Sequence, residues 1–321
     1  MDIDNYDLRI LRSLEGDSRL SLSQIAKQTN LSKTQVKYRI DKLIKDDVIK
    51  IFYTLFNINK LGLIAYSIYL KIDQSFLDDK ENLYKDIKSL DNIVFIQFCE
   101  GYYDVRCMVI VKSLYEFETI LLQLYEKFGQ TIVEDRMFPI SQINFHRELS
   151  DDKNNTNLYT LREESLNGLL DKYSNGFVET IFSTLNINSR VSAVELTQKT
   201  GSTLRSVLYF LKKIKNERYV LGHSILLNTE KIGLSNFIID ISVKKQSAFD
   251  EIISFFISNN VLRYSYKQVG IYNLSLDIIV ESNLQFQDIL KNFKSLFAQA
   301  YYEISISLVS ETIFSGWYNK L

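Results

Sequence analysis

The sequence predicts an α+β protein made of two tandem copies of one unit, each a three-helix module followed by a βαββαβ module. Three observations predict it. The first is that the chain repeats itself. Shifted by 171 positions, Ile10 meets Ile181, Leu14 meets Leu185, Ser18-Arg19 meets Ser189-Arg190, Val36 meets Val207 and Tyr38 meets Tyr209. Shifted by 169 positions, Gly101 meets Gly270, Tyr103 meets Tyr272, Val111 meets Val280 and Phe117 meets Phe286. Residue class held at fixed spacing over so long a stretch marks a duplication. The second is a change of apolar period inside each copy, from helical to strand-like. The third is the scarcity of breakers: one proline and eleven glycines in 321 residues favour long regular elements.

Taken in order, Leu8, Ile10, Leu11 and Leu14 form a helical stripe over Asn5–Leu14, and Leu22, Ile25 and Ala26 one over Ser21–Gln28. Ser32 and Gln35 are spaced as a capping box at the start of a third helix, whose buried stripe is Val36, Ile40 and Leu43. The strand-like run VIKIFYTLF follows, so the module reads as a winged helix-turn-helix. Beyond it come a strand (Ile64–Ile72), a helix (Phe76–Leu90), two strands around the turn Gly101-Tyr102-Tyr103-Asp104, a helix (Leu114–Phe128) and a strand (Thr131–Phe145). That order is the ferredoxin-like split unit. The second copy runs through FIIDISV, Phe249–Ser258, LRYSYKQ, YNLSLDIIV, Leu284–Phe297 and YYEISISLVS. The polar stretch Asp151–Asn157 reads as a linker, with a short connecting helix over Leu161–Tyr173. The expected domains are 1–52, 53–147, a linker 148–174, 175–223 and 224–321.

Lys plus Arg total 38 and Asp plus Glu 39, so a polyanion site must be a local patch. Such patches exist. Ser21–Lys50 carries seven cations against three carboxylates, and Lys199–Arg218 carries six against one. Each coincides with the third helix of a module. A basic helix is commonly only a solvated face; on this helix, twice, it reads as a surface for double-stranded DNA. No apolar run is long enough for a membrane span and the N-terminus lacks a signal-peptide core, so a soluble cytoplasmic, nucleoid-associated protein is expected. Cys99 and Cys107 flank the Gly101 turn and read either as two reduced thiols or as a redox pair. They and the two histidines show no metal-ligand spacing, and neither a metal nor a cofactor is expected.

The first copy, over residues 2–145, resembles the Lrp/AsnC family of transcription regulators. The matching residues are Asp4, Asp7, Ile10 and Leu11, then Asp17-Ser18-Arg19, then Leu31-Ser32, Thr34, Val36, Arg39, Ile40 and Leu43, with Val48-Ile49 and Leu61-Gly62 after them. The second copy departs: Phe210 stands for Arg39, Asn273 for Asp104 and Ser202-Thr203 for Leu31-Ser32. The resemblance implies that the mixed module is the effector-binding RAM domain and that two fused copies mimic the family's dimer, with further self-association through the RAM-like domains. The implied effector, an amino acid or small metabolite, sits near Gly101, Tyr103, Asp104, Gly270, Tyr272 and Asn273, where Asp104 would hold an ammonium group and Asn273 would not. The bland reading of both glycines is a hairpin turn.

Docking geometry places the leading residues of the third helix at base edges and the later cations on phosphates. The candidates are Lys33, Thr34, Gln35, Lys37, Tyr38 and Lys42 in the first copy and Arg205, Ser206, Tyr209, Lys212 and Lys213 in the second. Gln35 is also the capping-box partner. Arg39 either reads DNA or pairs with Asp7 or Asp17. Tyr38 and Tyr209 either face DNA or pack between helices. Leu204 and Leu208 replace Lys33 and Lys37, so the two helices are expected to read unequally. No catalytic residue is expected. The competing readings are a sirohaem-decarboxylase-like enzyme of the same architecture, resting on His146, His223 or tyrosines, and a ligand sensor with reduced DNA binding.

Overall fold

The computed structural model describes residues 3–73, 75, 87, 90, 92–146, 149, 157–161 and 175–317. The helix expected over Phe76–Leu90 lies, apart from Ile87 and Leu90, outside the described residues, as does the connecting helix beyond Leu161.

The first module is α1 (Asn5–Gly16), α2 (Leu22–Thr29) and α3 (Lys33–Lys45), leading into β1 (Ile49–Phe56). Each helix begins at a capping box, at Asp4, Ser21 and Ser32, which satisfies two otherwise orphaned N–H groups. The mixed module is β2 (Ile64–Ile72), β3 (Ile93–Glu100), β4 (Val105–Val111), α4 (Leu114–Phe128) and β5 (Ile132–His146). A strand β6 (Asn157–Leu161) follows. The second copy is α5 (Asn175–Ile187), α6 (Ala193–Thr200), α7 (Leu204–Asn216), β7 (Val220–Leu227), β8 (Ser235–Val243), α8 (Ser247–Ser258), β9 (Leu262–Gln268), β10 (Leu274–Val280), α9 (Asn283–Phe297) and β11 (Tyr301–Phe314).

The two mixed modules do not stack as separate sheets. Their strands close into one antiparallel barrel in the order β2-β4-β3-β11-β8-β10-β9-β5, with β5 returning to β2. The long strands make the closure. β5 pairs with β2 of its own unit through its first half and with β9 of the other unit from Ile140 onward. β11 does the same with β8 and then β3. Helices α4, α8 and α9 cover the outside, giving each unit its own apolar layer.

One expectation changes. The stretch expected as a linker contributes β6, which pairs with β5 from Ile143 to His146. Beyond the end of its pairing with β2, β5 has an open edge, and β6 covers it. The β element expected after each helix-turn-helix is present and pairs between the copies: β1 lies against β7, Phe52 opposite Ile225 and Thr54 opposite His223. Each helix-turn-helix therefore packs on the other copy's connecting segment. The first module's core takes in Ile225 and Leu227, and the second module's core takes in Leu55, Phe56 and Ile58.

Candidate nucleic-acid interface

The recognition helices are α3 and α7. In α3, Val36, Ile40 and Leu43 are buried, and each such side chain stabilises the module by about 1.5–3 kcal/mol. With that stripe inward, Lys33, Thr34, Gln35, Lys37, Tyr38 and Lys42 all face solvent. In α7 the buried stripe is Val207, Phe210 and Ile214. Arg205, Ser206, Tyr209 and Lys212 are exposed and Lys213 is half-buried. Tyr38 and Tyr209 are 69% and 64% exposed, so neither packs between helices. Leu204 and Leu208 occupy the same outer face at 43% and 51% exposure.

Two side chains on this face are committed to the scaffold. The Gln35 Oε1 accepts the Ser32 N–H at 2.9 Å, and the Gln35 N–H donates to Ser32 Oγ at 3.2 Å. A bidentate adenine contact needs both ends of the amide; here the carbonyl end is taken. Ser206 is held similarly, its hydroxyl 2.9 Å from Thr203 Oγ1, which also accepts the Ser206 backbone N–H at 3.2 Å.

Arg39 is the larger departure from a reading role. Its Nη1 donates to Asp4 at 2.8 Å and Asp7 at 2.7 Å, and its guanidinium lies over the Tyr6 ring. Hydrogen bonding to Asp7 holds Arg39 charged against its partial burial. At Asp4 burial works to raise the carboxyl, but the Asp7 N–H and Arg39 outweigh it, and it lies below the ordinary carboxylate value. Arg39 thus pins α3 to α1. In the second copy Phe210 does the same work apolarly, with its ring 5.2 Å from Phe177 and 6.1 Å from Phe182.

The spacing of the two helices is set by contacts that repeat across the pseudo-twofold axis. Ser18 Oγ and Ser189 Oγ share a buried 2.6 Å hydrogen bond. Arg19 donates to Ser189 O at 2.7 Å and to Val191 O at 3.3 Å, while Arg190 donates to Ser18 O and, at 3.1 Å, to Leu20 O. The Ser18 N–H donates to His223 O and the Ser189 N–H to Phe52 O. Sequence reasoning missed this clasp; its signal was the Ser-Arg pair found unchanged in both copies. With the β1–β7 ribbon, it makes the two helix-turn-helix modules one body.

The turns expected to hold an effector lie elsewhere. Gly101 lies so close to β11 that an added Cβ would stand 2.5 Å from Ser307 Oγ and 2.8 Å from Ile306 O. Gly270 has φ +151° and lies against Phe138. Tyr103 and Tyr272 meet in one buried cluster with Tyr69 and Phe138. The Tyr272 hydroxyl donates to Glu303 at 2.9 Å. Asp104 Oδ2 accepts the Ile72 N–H at 2.8 Å, and Asn273 bonds both the N–H and the carbonyl of Val243. Both residues clamp their turn to a strand end. The space between the turns is thus filled by aromatic rings, and the Asp104 carboxylate already serves its own backbone.

The cysteines do not form a redox pair. Cys107 stands opposite Ile96 on β3, not opposite Cys99, and both thiols are free and buried. Burial raises both thiols, Cys107 to about 12. Among the described residues no helix is long and apolar enough to cross a membrane.

Two capped, solvent-facing recognition helices clasped on one barrel define a helix-turn-helix protein built as an internal pseudo-dimer. Residues 3–50 match the family model for winged helix-turn-helix DNA-binding domains. An HTH-type transcriptional regulator of Pyrococcus furiosus is 31% identical over 129 residues, which are 40% of this chain and 83% of the relative. The regulatory protein AsnC of Haemophilus influenzae is 26% identical over 135 residues, 40% of this chain and 88% of the relative. The chain belongs to the Lrp/AsnC family of transcriptional regulators. A solved siroheme decarboxylase, NirDL, matches with a TM-score of 0.65 over 98% of this chain and 95% of its own, at 12% identity. At that identity the likeness shows the shared two-copy fold.

Proposed function

We propose that this chain is a sequence-specific DNA-binding transcriptional regulator in which two fused copies act as one dimer, working in the cytoplasm on the nucleoid. The observation that carries the reading is the pair of recognition helices, each with its apolar stripe buried and its cations outward. Lys33 and Lys37 are placed for base edges or phosphates, Lys42, Lys212 and Lys213 for phosphates, and Arg205 and Tyr209 lead the second helix. A fluorescence-anisotropy titration against duplex from upstream of its own gene tests it. Binding with a steep loss of affinity on adding salt supports the reading; no binding at low salt refutes it.

A second reading, tetrapyrrole decarboxylation, is favoured by the whole-chain fold match alone. Proton transfer would fall to the two histidines or to tyrosines. Burial lowers His146 to about 4 and His223 to about 3, so both are neutral at pH 7, and His223 Nδ1 is already within 2.9 Å of Thr54 Oγ1. A visible-absorbance titration with an iron uroporphyrin separates the readings. A bound spectrum together with loss of carbon dioxide from the side chains on incubation, read by mass spectrometry, supports the enzyme; no bound spectrum, or a bound tetrapyrrole of unchanged mass, refutes it.

A further inference from the structure

The clasp between the two helix-turn-helix modules is not the same on its two sides. On one side the Arg190 guanidinium lies over the Phe52 ring, 5.6 Å from its centroid. On the other, Arg19 lies near His223, which stands for Phe52 in the repeat, and an open pocket of about 360 Å³ adjoins them both. Its floor is apolar: Leu185, Ile214 and Val220 are buried and Leu211 is half-buried. Its rim carries Asp17, Arg19, Lys212, Lys215 and His223. Ligand pockets run from roughly 300 to 1,000 Å³, so the recess has room for a small molecule.

The rim differs from its sister position by position. The first copy has Asp41 where the second has Lys212, Ile44 for Lys215 and Phe52 for His223, and Asn188 takes the place of Asp17. The arginine is kept on both sides because the clasp uses it. The sister group is neutral, Arg190 against Asp41, whereas three cations against Asp17 leave this one at +2. A helix-turn-helix that packs with Asp41, Ile44 and Phe52 has no structural need for two lysines and a histidine. Nor does the fold use them here. Lys212 and Lys215 are exposed and have no ion pair among the described residues. His223 Nδ1 lies 2.9 Å from Thr54 Oγ1, so Nε2 is the ring nitrogen left for the pocket. Arg19, committed to the Ser189 and Val191 carbonyls, adds charge rather than a free donor.

We infer that this pocket binds a small phosphate monoester, its dianionic head held by Lys212, Lys215 and His223 and a compact apolar body laid against Leu185, Leu211 and Ile214. A phosphate monoester carries about −1.5 to −2 at pH 7, which matches the rim; a monocarboxylate leaves half of that charge unanswered. The bound anion selects the histidine tautomer in which Thr54 donates to Nδ1 and the Nε2–H donates to the ligand. A DNA backbone phosphate has one charge and no apolar body, so the free monoester is the better fit. The site lies on the helix-turn-helix modules, away from the Gly101 and Gly270 turns. Lys212 is also placed for a DNA phosphate. On the regulator reading, ligand and DNA therefore compete for it, and each weakens the other by the same factor. That consequence rests on the regulator reading; the binding itself does not.

The test is calorimetric titration of the full chain with phenyl phosphate, inorganic phosphate and benzoate, at an ionic strength held constant with sodium chloride. Phenyl phosphate should bind about tenfold more tightly than either of the others, since inorganic phosphate lacks the apolar body and benzoate the second charge. Its affinity should fall about tenfold in both Lys215→Ile and His223→Phe, each losing a hydrogen bond to a charged group. Each variant installs the residue that the first copy carries at the equivalent position, so both fold. No heat from phenyl phosphate at millimolar concentration overturns the inference. So does equal affinity for either other probe, or an affinity that either variant leaves unchanged. Fluorescence anisotropy with duplex keeps the two readings apart. Phenyl phosphate bound by a chain that ignores DNA would sink the regulator reading and leave the pocket standing; DNA bound by a chain that ignores phenyl phosphate would sink the pocket alone.

Discussion

Replacing Leu204 and Leu208 by lysine should make the second recognition helix resemble the first. Both side chains lie on the exposed face of α7, at the positions that Lys33 and Lys37 hold on α3. Each lysine that meets a phosphate releases condensed counterions and steepens the plot of log affinity against log salt by about 0.9. The double variant Leu204→Lys/Leu208→Lys should therefore steepen it by about 1.8, so the affinity lost between 50 and 200 mM salt grows by about 12-fold. The opposite double variant, Lys33→Leu/Lys37→Leu, should flatten it by about the same amount. Exposed positions leave stability within about 0.5 kcal/mol, so a circular-dichroism melt serves as the control. Fluorescence anisotropy across a salt series gives the slopes. Slopes that stay put in both variants would refute the placement of these faces on DNA.

Three further outcomes follow. Phe210→Ala empties the aromatic pin of α7 and should cost about 3–5 kcal/mol by urea unfolding, whereas Arg39→Met, a partly exposed ion pair, should cost about 1 kcal/mol. Gly101→Ala forces a Cβ onto the backbone of β11 and should destabilise by about 1–3 kcal/mol, read as a lowered melting temperature. His146 and His223 have folded pKa values of about 4 and about 3, below the unfolded value, so the unfolded state binds more protons as pH falls below about 6.5. Stability should then fall with pH by up to about 1.4 kcal/mol per pH unit for each histidine until the folded protein protonates. Asp240 and Asp277, raised by burial, act in the opposite sense. The histidine contribution is the difference in pH slope between the parent chain and His146→Gln/His223→Gln.

The helices and strands were legible because each is an amphipathic run with a clear start, as Ser32 shows for α3 and Ser113 for α4. Closure of the barrel was not, because it depends on pairings between strands far apart in sequence. The available signal was length: β5 and β11 run to 15 and 14 residues while the other barrel strands have 7 to 9. A strand that long outruns its own unit. The role of Arg39 stayed open in the sequence because Asp7 and Asp17 were both plausible partners; only the distances select Asp7, and they add Asp4.

The barrel interior explains why two copies on one chain differ from two copies of one chain. Arg106, wholly buried, lies over the rings of Tyr69 and Tyr266 and reaches Gln97, which in turn donates to Asp277 at 3.0 Å. Tyr69 donates to Asp240 at 2.8 Å. Arg106 comes from the first copy and both carboxylates from the second, whose own buried Arg263 also faces Asp277; the repeat places Ser275 opposite Arg106 in the alignment, Met108 opposite Asp277 and Tyr69 opposite Asp240. A homodimer of the first unit would bury two Arg106 guanidinium groups with no carboxylate between them. A homodimer of the second would keep Arg263 for Asp277 but bury two Asp240 carboxyls without Arg106. Removing one side of a buried charge pair costs about 3–5 kcal/mol, and these pairings would do so twice, while the mixed pairing sets Arg106 within the field of Asp240 and Asp277. Residues 1–161 and 162–321, expressed together under different tags, should therefore recover each other in preference to themselves. Equal recovery of like and unlike pairs would show that the ionic network does not choose the partner, and that fusion alone keeps the copies unequal.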